Sequence, residues 1–172
     1  IQYAPDGYVV IGGGKTGIDA CLWLLEQRID PENITWIVSR EAWLLDRRNT
    51  QMTPDFFFDT MEAQAAMLEG IAESETPEEM FNRLEDCGYF LRVDPLVEPE
   101  MFHAATVSKL EIEQLRRITN VIRLGHVTAI EDDKIELERG TICTTAKTIH
   151  VDCSASALLD RGGVPVFQDD LI

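Results

Sequence analysis

The amino-acid sequence predicts an α/β fold with a parallel sheet, and three observations support this. A short apolar strand runs directly into a glycine-rich turn and then into an apolar helix. A second apolar strand follows about twenty residues after the glycines, as expected for the next parallel strand. The last third of the chain contains short, alternating strands. Together they predict a doubly wound sheet interrupted by a small antiparallel meander.

The first strand and turn, Tyr8 to Gly17, read YVVIGGGKTG, and two phosphate-binding motifs overlap there. Gly14, Lys15 and Thr16 match the end of the P-loop motif of nucleotide triphosphatases, G-x-x-x-x-G-K-[ST]. That motif requires another glycine five positions before Gly14, and Val9 occupies this place. The P-loop interpretation is therefore excluded.

The other motif, G-x-G-x-x-G, has the surroundings that a dinucleotide-binding turn needs. It follows the apolar strand Tyr8–Ile11 and opens a helix whose apolar face suits packing on a sheet. Gly12 permits the tight turn, Gly14 lets the backbone approach a pyrophosphate, and Gly17 lets helix and strand pack closely. The N-terminus of the helix directs N–H groups and a positive dipole at the phosphate. The motif predicts a Rossmann-like dinucleotide-binding domain with contacts from Gly12, Gly13, Gly14, Lys15, Thr16 and Gly17.

The end of the second strand, Ile34–Val38, selects the cofactor in such a domain. An acidic side chain there accepts a hydrogen bond from the ribose of NAD or FAD, whereas a basic one pairs with the 2′-phosphate of NADP. Here the strand ends in serine and arginine, and three arginines fall within nine positions of a strongly acidic chain. Because a guanidinium makes bidentate contacts to phosphate, NADP(H) is the predicted cofactor. The predicted phosphate contacts are Ser39, Arg40, Arg47 and Arg48.

Alternatives to these assignments stay open in the sequence. Arg40 is also interpretable as an ordinary solvated cation, and Glu41, which follows it, keeps NADH open as the ligand. Lys15 either contacts the pyrophosphate or projects into solvent. Asp19 is explained equally well as an acidic residue that stabilises the helix dipole from the first turn.

The chain at about residues 51–120 is predicted to be a helical insertion. Capping patterns at Thr53-Pro54, Thr76–Glu79 and Ser108–Glu111 indicate helix starts, and Gly88 is predicted to end the second helix. No residue pattern in this segment indicates a catalytic or binding function. Its three consecutive phenylalanines, Phe56, Phe57 and Phe58, are interpreted as core residues in preference to the lining of a substrate cleft.

An antiparallel meander is predicted at about residues 126–146, with turns at Asp132-Asp133 and Gly140. The segment KTIHVDCSAS after it is predicted to return to the main sheet as its last strand. These elements complete one domain, 1–172.

The composition restricts the partners of the chain. A formal net charge of −16 argues against nucleic acid and anionic membrane surfaces as partners. No apolar run approaches the length of a membrane span. The four cysteines are widely separated without a C-x-x-C pair, so buried free thiols in a reducing cytoplasm are expected and no metal site is signalled. The start of the chain at Ile1, almost on a core strand, suggests part of a longer protein.

The sequence resembles the NADPH-binding domain of flavin-containing monooxygenase-like enzymes, within the wider flavoproteins that carry two dinucleotide-binding domains. GGGKTGIDAC is similar to their second glycine motif, usually G-x-G-x-S-G-x-D-x-A, and WIVSREAWLLDR resembles the segment after it. The meander and HVDCSAS are similar to their final hairpin and strand. Lys15, Thr16 and Ala155 depart from the asparagine, serine and glycine that are usual in that family.

The resemblance implies that bound NADPH reduces an FAD held by a second domain of the same polypeptide, and that the reduced flavin reacts with oxygen or passes electrons onward. Only one glycine fingerprint is present, so the FAD domain is expected outside these 172 residues. No combination of residues indicates a general acid, base or nucleophile, and hydride transfer needs none from this chain. The isolated chain is expected to bind nucleotide without catalysing a reaction. The alternatives are a stand-alone dinucleotide-binding or sensing module that acts through a partner protein, and an FAD-binding domain.

Overall fold

The computed structural model of the chain describes residues 4–155. Within this range the strands are β1 (Tyr8–Ile11), β2 (Ile34–Ile37), β3 (Ala42–Asp46), β4 (Phe90–Leu91), β5 (Met101–Val107), β6 (Val121–Ile122), β7 (Val127–Ile130), β8 (Lys134–Leu137), β9 (Gly140–Cys143) and β10 (Ile149–Asp152). The α-helices are α1 (Lys15–Glu26), α2 (Phe57–Ala72), α3 (Pro77–Asp86) and α4 (Lys109–Leu115). The predicted α/β class with a parallel sheet is confirmed. The predicted domain, 1–172, extends past the described residues at both ends.

The main sheet has four parallel strands in the order β10-β1-β2-β6. Ile11 at the end of β1 lies opposite Ile37 of β2 on one side and Asp152 of β10 on the other. The carboxyl ends of these three strands therefore meet at a single edge of the sheet, directly beside the glycine-rich turn. This edge is called the carboxyl edge below.

Both faces of the main sheet are covered, which explains why its central strands are continuously apolar. Because side chains alternate along a strand, Val10 points to one face and its neighbours to the other. Val10 packs with the buried faces of α1 and α4, including Ile18 and Ile112. Val9 and Ile11 pack on the opposite face against β8 of the meander. The parallel sheet thus lies between a helical layer and an antiparallel layer.

A second sheet occupies part of the segment predicted to be helical. Its strand order is β4-β3-β5, with β3 parallel to β5 and antiparallel to β4. The prediction of an all-helical insertion at about residues 51–120 is therefore wrong over β4 and β5. The sequence signal is weak because β4 has two residues, while β5 contains a register shift and Ala104 in the left-handed region, at φ 54°. Those features remove the regular alternation that marks a strand.

The predicted helix ends in this segment are confirmed where side chains or glycine create them. The Thr76 hydroxyl accepts the Glu79 N–H at the start of α3, and Ser108 and Glu111 form a reciprocal capping box on α4. Gly88, at φ 76°, ends α3. Its N–H and that of Tyr89 donate to carbonyls of the last helical turn, which is the Schellman arrangement.

The phenylalanine cluster before and within α2 does not pack in the core. Phe57 and Phe58 are 52% and 82% exposed, and their rings contact each other edge to face. Thr60 is the buried residue of this helix. The interpretation of this cluster as core is therefore wrong for Phe57 and Phe58, because α2 covers its neighbours with only a narrow face.

The predicted meander is confirmed as the antiparallel sheet β7-β8-β9. Gly140 has φ 158° and opens β9 after the turn from β8. Ile135 and Leu137 of β8 are the buried residues that fix this small sheet on the main one. Across residues 4–155, the helices are each too short or too polar to cross a membrane.

Candidate functional site

The first glycine of the turn, Gly12, is fixed between three strands at the carboxyl edge. Its N–H donates to the Ile37 carbonyl at 2.9 Å, and its carbonyl accepts the Trp36 indole N–H at 2.9 Å. Its φ is 125°, and an added Cβ would lie 2.8 Å from the Cys153 carbonyl oxygen. Both the backbone conformation and the lack of space therefore require glycine here.

The third glycine of the motif, Gly17, joins α1 to β1. A Cβ at Gly17 would lie only 2.0 Å from the Gly12 carbonyl oxygen. No side chain fits in this gap, so the predicted role of Gly17 in close helix–strand packing agrees with the structure.

The middle glycine, Gly14, differs from the other two. It has φ −80° and ψ −179°, which any residue adopts, and no atom lies within 4 Å of where its Cβ would be. Neither backbone strain nor internal packing explains a glycine here. A side chain at Gly14 would instead occupy open space above the turn, which is where a ligand's pyrophosphate would approach the backbone.

The N-terminus of α1 faces the same space without a side-chain cap. Gly14 is the N-cap residue and supplies no side-chain hydrogen bond. No acidic residue lies in the first turn, so the interpretation of Asp19 as a first-turn acid is wrong. The N–H groups of Lys15 and Thr16 are therefore left for solvent or an anion. Thr16 is exposed. The Lys15 ammonium pairs with the Asp19 carboxylate one turn along α1 and donates no hydrogen bond to the glycine turn.

Ser39 and Arg40 lie where the sequence places them, at the end of β2 and against the glycine turn. A Cβ on Gly13 would lie 2.8 Å from Val38 Cγ1 and 3.4 Å from the Arg40 carbonyl oxygen. Ser39 is half-buried and Arg40 is exposed. Arg40 takes part in none of the ion pairs formed among residues 4–155.

Glu41, the acidic neighbour of Arg40, is held in an internal network. Its carboxylate accepts the Arg123 Nε–H at 2.7 Å, and its side chain is 10% exposed. Arg123 also donates to Asp94 at 3.0 Å. Glu41 is thus neutralised by a guanidinium from the end of β6, which sequence reasoning did not anticipate because the two residues lie 82 positions apart.

Arg47 and Arg48 are carried away from the end of β2 by strand β3. Arg47 Nη2 donates to both carboxylate oxygens of Glu111 on α4, at 3.1 Å each, and Arg48 Nη2 donates to Asp59 on α2 at 2.6 Å. Burial raises the pKa of Glu111, but hydrogen bonds from Ser108 and Arg47 outweigh it, and the net pKa is lowered. The structure does not bring these two arginines together with Arg40, and each already has a carboxylate partner.

The hydrogen bond from Trp36 to the glycine turn is a feature of the site that sequence reasoning missed. Its side chain is 2% exposed within β2, and its indole N–H reaches the Gly12 carbonyl across the sheet edge. A tryptophan in a buried strand needs a hydrogen-bond acceptor, and that requirement was the available signal. Trp36 holds the glycine turn to β2.

The four cysteines differ in burial, with Cys153 half-buried. Cys21 is buried in α1, and burial, with the nearby Cys153, raises the pKa of its thiol to about 12. Cys87 and Cys143 are exposed, so the expectation of buried thiols is wrong for these two. Their positions at a helix end and in the edge strand β9 leave them at the surface.

The chain is similar to mycobacterial proteins named as uncharacterized. Rv2000 of Mycobacterium tuberculosis (strain ATCC 25618 / H37Rv) and Mb2023 of Mycobacterium bovis are each 45% identical to it over 165 residues. Those residues are 96% of this chain and 31% of each relative, so the chain spans about a third of the length of the relatives it matches. No protein-family model and no solved structure matches the chain.

Proposed function

We propose that the chain is a Rossmann-like NADP(H)-binding module of a flavin-dependent, monooxygenase-like oxidoreductase. The observation that carries this proposal is the glycine turn at the carboxyl edge, where Gly12 and Gly17 are required by packing and Gly14 is not. A ligand that approaches the backbone explains the glycine at position 14, and the fold alone does not.

The pyrophosphate of the nucleotide fits the first turn of α1. Gly14 leaves the approach open, and the uncapped N–H groups of Lys15 and Thr16 with the helix dipole favour an anion there. In the order β10-β1-β2-β6, the strands that follow β1 are added on one side of it and β10 is added on the other. The glycine turn after β1 therefore lies where the strand order reverses, which is the usual ligand position in open α/β sheets.

The adenosine 2′-phosphate fits Ser39 and Arg40. Arg40 is exposed beside the glycine turn, whereas the neighbouring Glu41 is neutralised by Arg123. A cation without a carboxylate partner among the described residues, next to an acid that is already paired, favours NADP(H) over NAD(H). Arg47 and Arg48 are not part of the proposed phosphate site, since their carboxylate partners lie on α4 and α2.

The chemistry belongs to the cofactors and the positioning belongs to this chain. Bound NADPH supplies a hydride, for which the acceptor would be FAD in another part of the same polypeptide. The residues described here bind the pyrophosphate, select the 2′-phosphate and hold the turn rigid through Trp36. More than two thirds of each mycobacterial relative lies outside the matched region, a length that accommodates a flavin-binding domain.

A stand-alone dinucleotide-binding or sensing module is the second candidate, and one observation favours it. The exposed apolar side chains of α2, which include Phe57, Phe58 and Leu68, suit contact with another protein surface. An FAD domain of the same polypeptide would cover such a surface equally well.

The flavin part of the proposal is tested on a full-length relative such as Rv2000. The purified protein is expected to carry flavin and, without oxygen, to have its flavin absorbance bleached faster by NADPH than by NADH. A colourless protein that binds NADP(H) would favour the sensing module. Flavin that neither nucleotide reduces would contradict the oxidoreductase assignment.

A further inference from the structure

A cavity lies away from the glycine turn, between α3, β3 and the start of β5. Its volume is about 470 Å³, within the range of small-molecule sites. Phe81 of α3, Phe102 of β5 and Trp43 of β3 line it. Three carboxylates, those of Glu78, Glu98 and Glu100, also line it.

The wall of this cavity is a continuous set of aromatic rings. Trp43 and Phe81 stack at 5.5 Å with an interplanar angle of 4°, and Phe90 connects Phe81 to Phe102 with centroids 5.7 and 5.0 Å apart. Phe102 is 43% exposed, so its ring is available to a ligand. Ring faces carry partial negative charge and attract cations.

The charged side chains that line the cavity are negative, as are the faces of its aromatic rings. No lysine, arginine or histidine lines it. Glu98 pairs with Arg92, whereas Glu78 and Glu100 are exposed and form no ion pair among residues 4–155. The carboxylates of Glu78 and Glu100 repel phosphate, so the cavity does not suit the nucleotide proposed for the glycine turn.

The same cluster already holds one cation of the chain itself. The Arg92 guanidinium lies 4.6 Å from the centroid of the Trp43 ring and pairs with Glu85 and Glu98, and its side chain is 11% exposed. An aromatic face flanked by carboxylates is therefore a cation site within this fold. The open side of the cavity repeats that combination with Phe81, Phe102 and two glutamates that lack such a partner.

We propose that this cavity binds a small organic cation, an ammonium or guanidinium group attached to an apolar or aromatic body. The apolar body contacts Phe81 and Phe102, and the charged group lies between Glu78 and Glu100. The chain has a formal net charge of −16, which raises the local concentration of such cations near its surface. The site is separate from the proposed cofactor site, because none of the residues that line it belongs to the glycine turn.

Calorimetric titration of the purified chain at low salt tests the charge preference. The probe is benzyltrimethylammonium, and benzyl alcohol and phenylacetate carry the same ring with neutral and negative groups. The cation is expected to bind at least about tenfold more tightly than the alcohol, with no binding of phenylacetate. Equal binding of cation and alcohol would overturn the proposal.

Matched variants locate the binding. Glu78→Gln with Glu100→Gln is expected to weaken binding of benzyltrimethylammonium roughly tenfold, while Glu26→Gln with Glu113→Gln, which changes net charge equally elsewhere, leaves it unchanged. Phe102→Ala is expected to weaken it roughly fivefold, and Phe58→Ala, at another exposed ring, has no effect. If the control pair weakens binding as much as the cavity pair, the attraction belongs to the whole surface and the cavity site is refuted.

Discussion

The carboxyl edge of the main sheet and the aromatic cavity of the second sheet are built in different ways. At the carboxyl edge the candidate ligand contacts are mostly backbone groups, and glycines at fixed spacing expose them. In the cavity the contacts are side chains from α3, β3 and β5, which are far apart in sequence. The first arrangement is suited to an anion and the second to a cation. A site made of backbone is visible in a short motif, whereas a site made of distant side chains appears only in the fold.

The largest expected effect separates structural glycine from ligand-exposing glycine. Gly17→Ala forces a Cβ onto the Gly12 carbonyl and is expected to lower the free energy of unfolding by about 3 kcal/mol. Gly14→Ala places its Cβ in open space and should cost less than about 1 kcal/mol, as an N-cap change. Urea denaturation measures both.

Gly14→Ala also tests whether a nucleotide approaches the backbone of the glycine turn. Gly14→Ala is expected to weaken NADPH binding roughly tenfold or more, although it folds normally, because the new methyl group fills the approach to the turn. Calorimetry on the folded variant measures this. An unchanged affinity would mean that no ligand approaches Gly14.

A smaller effect is expected from the network that neutralises Glu41. Arg123→Met leaves a carboxylate that is 10% exposed without its main partner, and a loss of about 2 kcal/mol in unfolding free energy is expected. Adding Glu41→Gln removes the unpaired charge and should recover at least about 1 kcal/mol of that loss. The two single variants and the double variant form a cycle measured by urea denaturation. Additive losses would show that the pair does not interact.

The smallest expected effect is the pH dependence from Glu111. Hydrogen bonds from Ser108 and Arg47 lower its pKa from 4.5 in the folded state, so its contribution is present above pH 4.5 and is lost as pH falls through the folded value. Because the Arg47 pair is partly exposed, the contribution should stay under about 1 kcal/mol. Glu111→Gln should therefore reduce the loss of stability measured by urea denaturation between pH 7 and pH 3. A wild-type and variant difference that is the same at both pH values would contradict the assignment.

Much of the fold was predictable because its signals are local. The apolar strand before Gly12, the capping pair Ser108 and Glu111, and Gly88 after α3 each act within a few residues. The second sheet was not predictable in this way, since β4 is short and β5 contains Ala104 in a left-handed conformation. Arg47 and Arg48 are close to Arg40 in sequence, but strand β3, which the sequence analysis does not predict, lies between them and separates them in the fold.

The pairing of charges was also beyond the sequence. Arg40 and Arg123 are the same residue type in different surroundings. Arg40 is exposed at the end of β2, whereas Arg123 pairs with Glu41 and neutralises it. Which arginine is available to a ligand depends on contacts over long sequence separations. The glycine spacing predicts where a phosphate would bind, and the fold decides which cation would select it.

The preference of the proposed site for NADP(H) is tested by a parallel titration of the chain with NADPH and NADH, repeated with Arg40→Ala. Trp36, whose indole N–H donates to the Gly12 carbonyl, supplies an emission signal at the proposed site, and calorimetry provides an independent reading. NADPH is expected to bind more tightly, and Arg40→Ala should weaken it by roughly tenfold to a hundredfold while leaving NADH nearly unchanged. Arg48→Ala, at a paired arginine, is the matched control and should change neither affinity. Equal affinities for both nucleotides in the wild type, or an equal loss of both in Arg40→Ala, would contradict the assignment of an NADP(H) site.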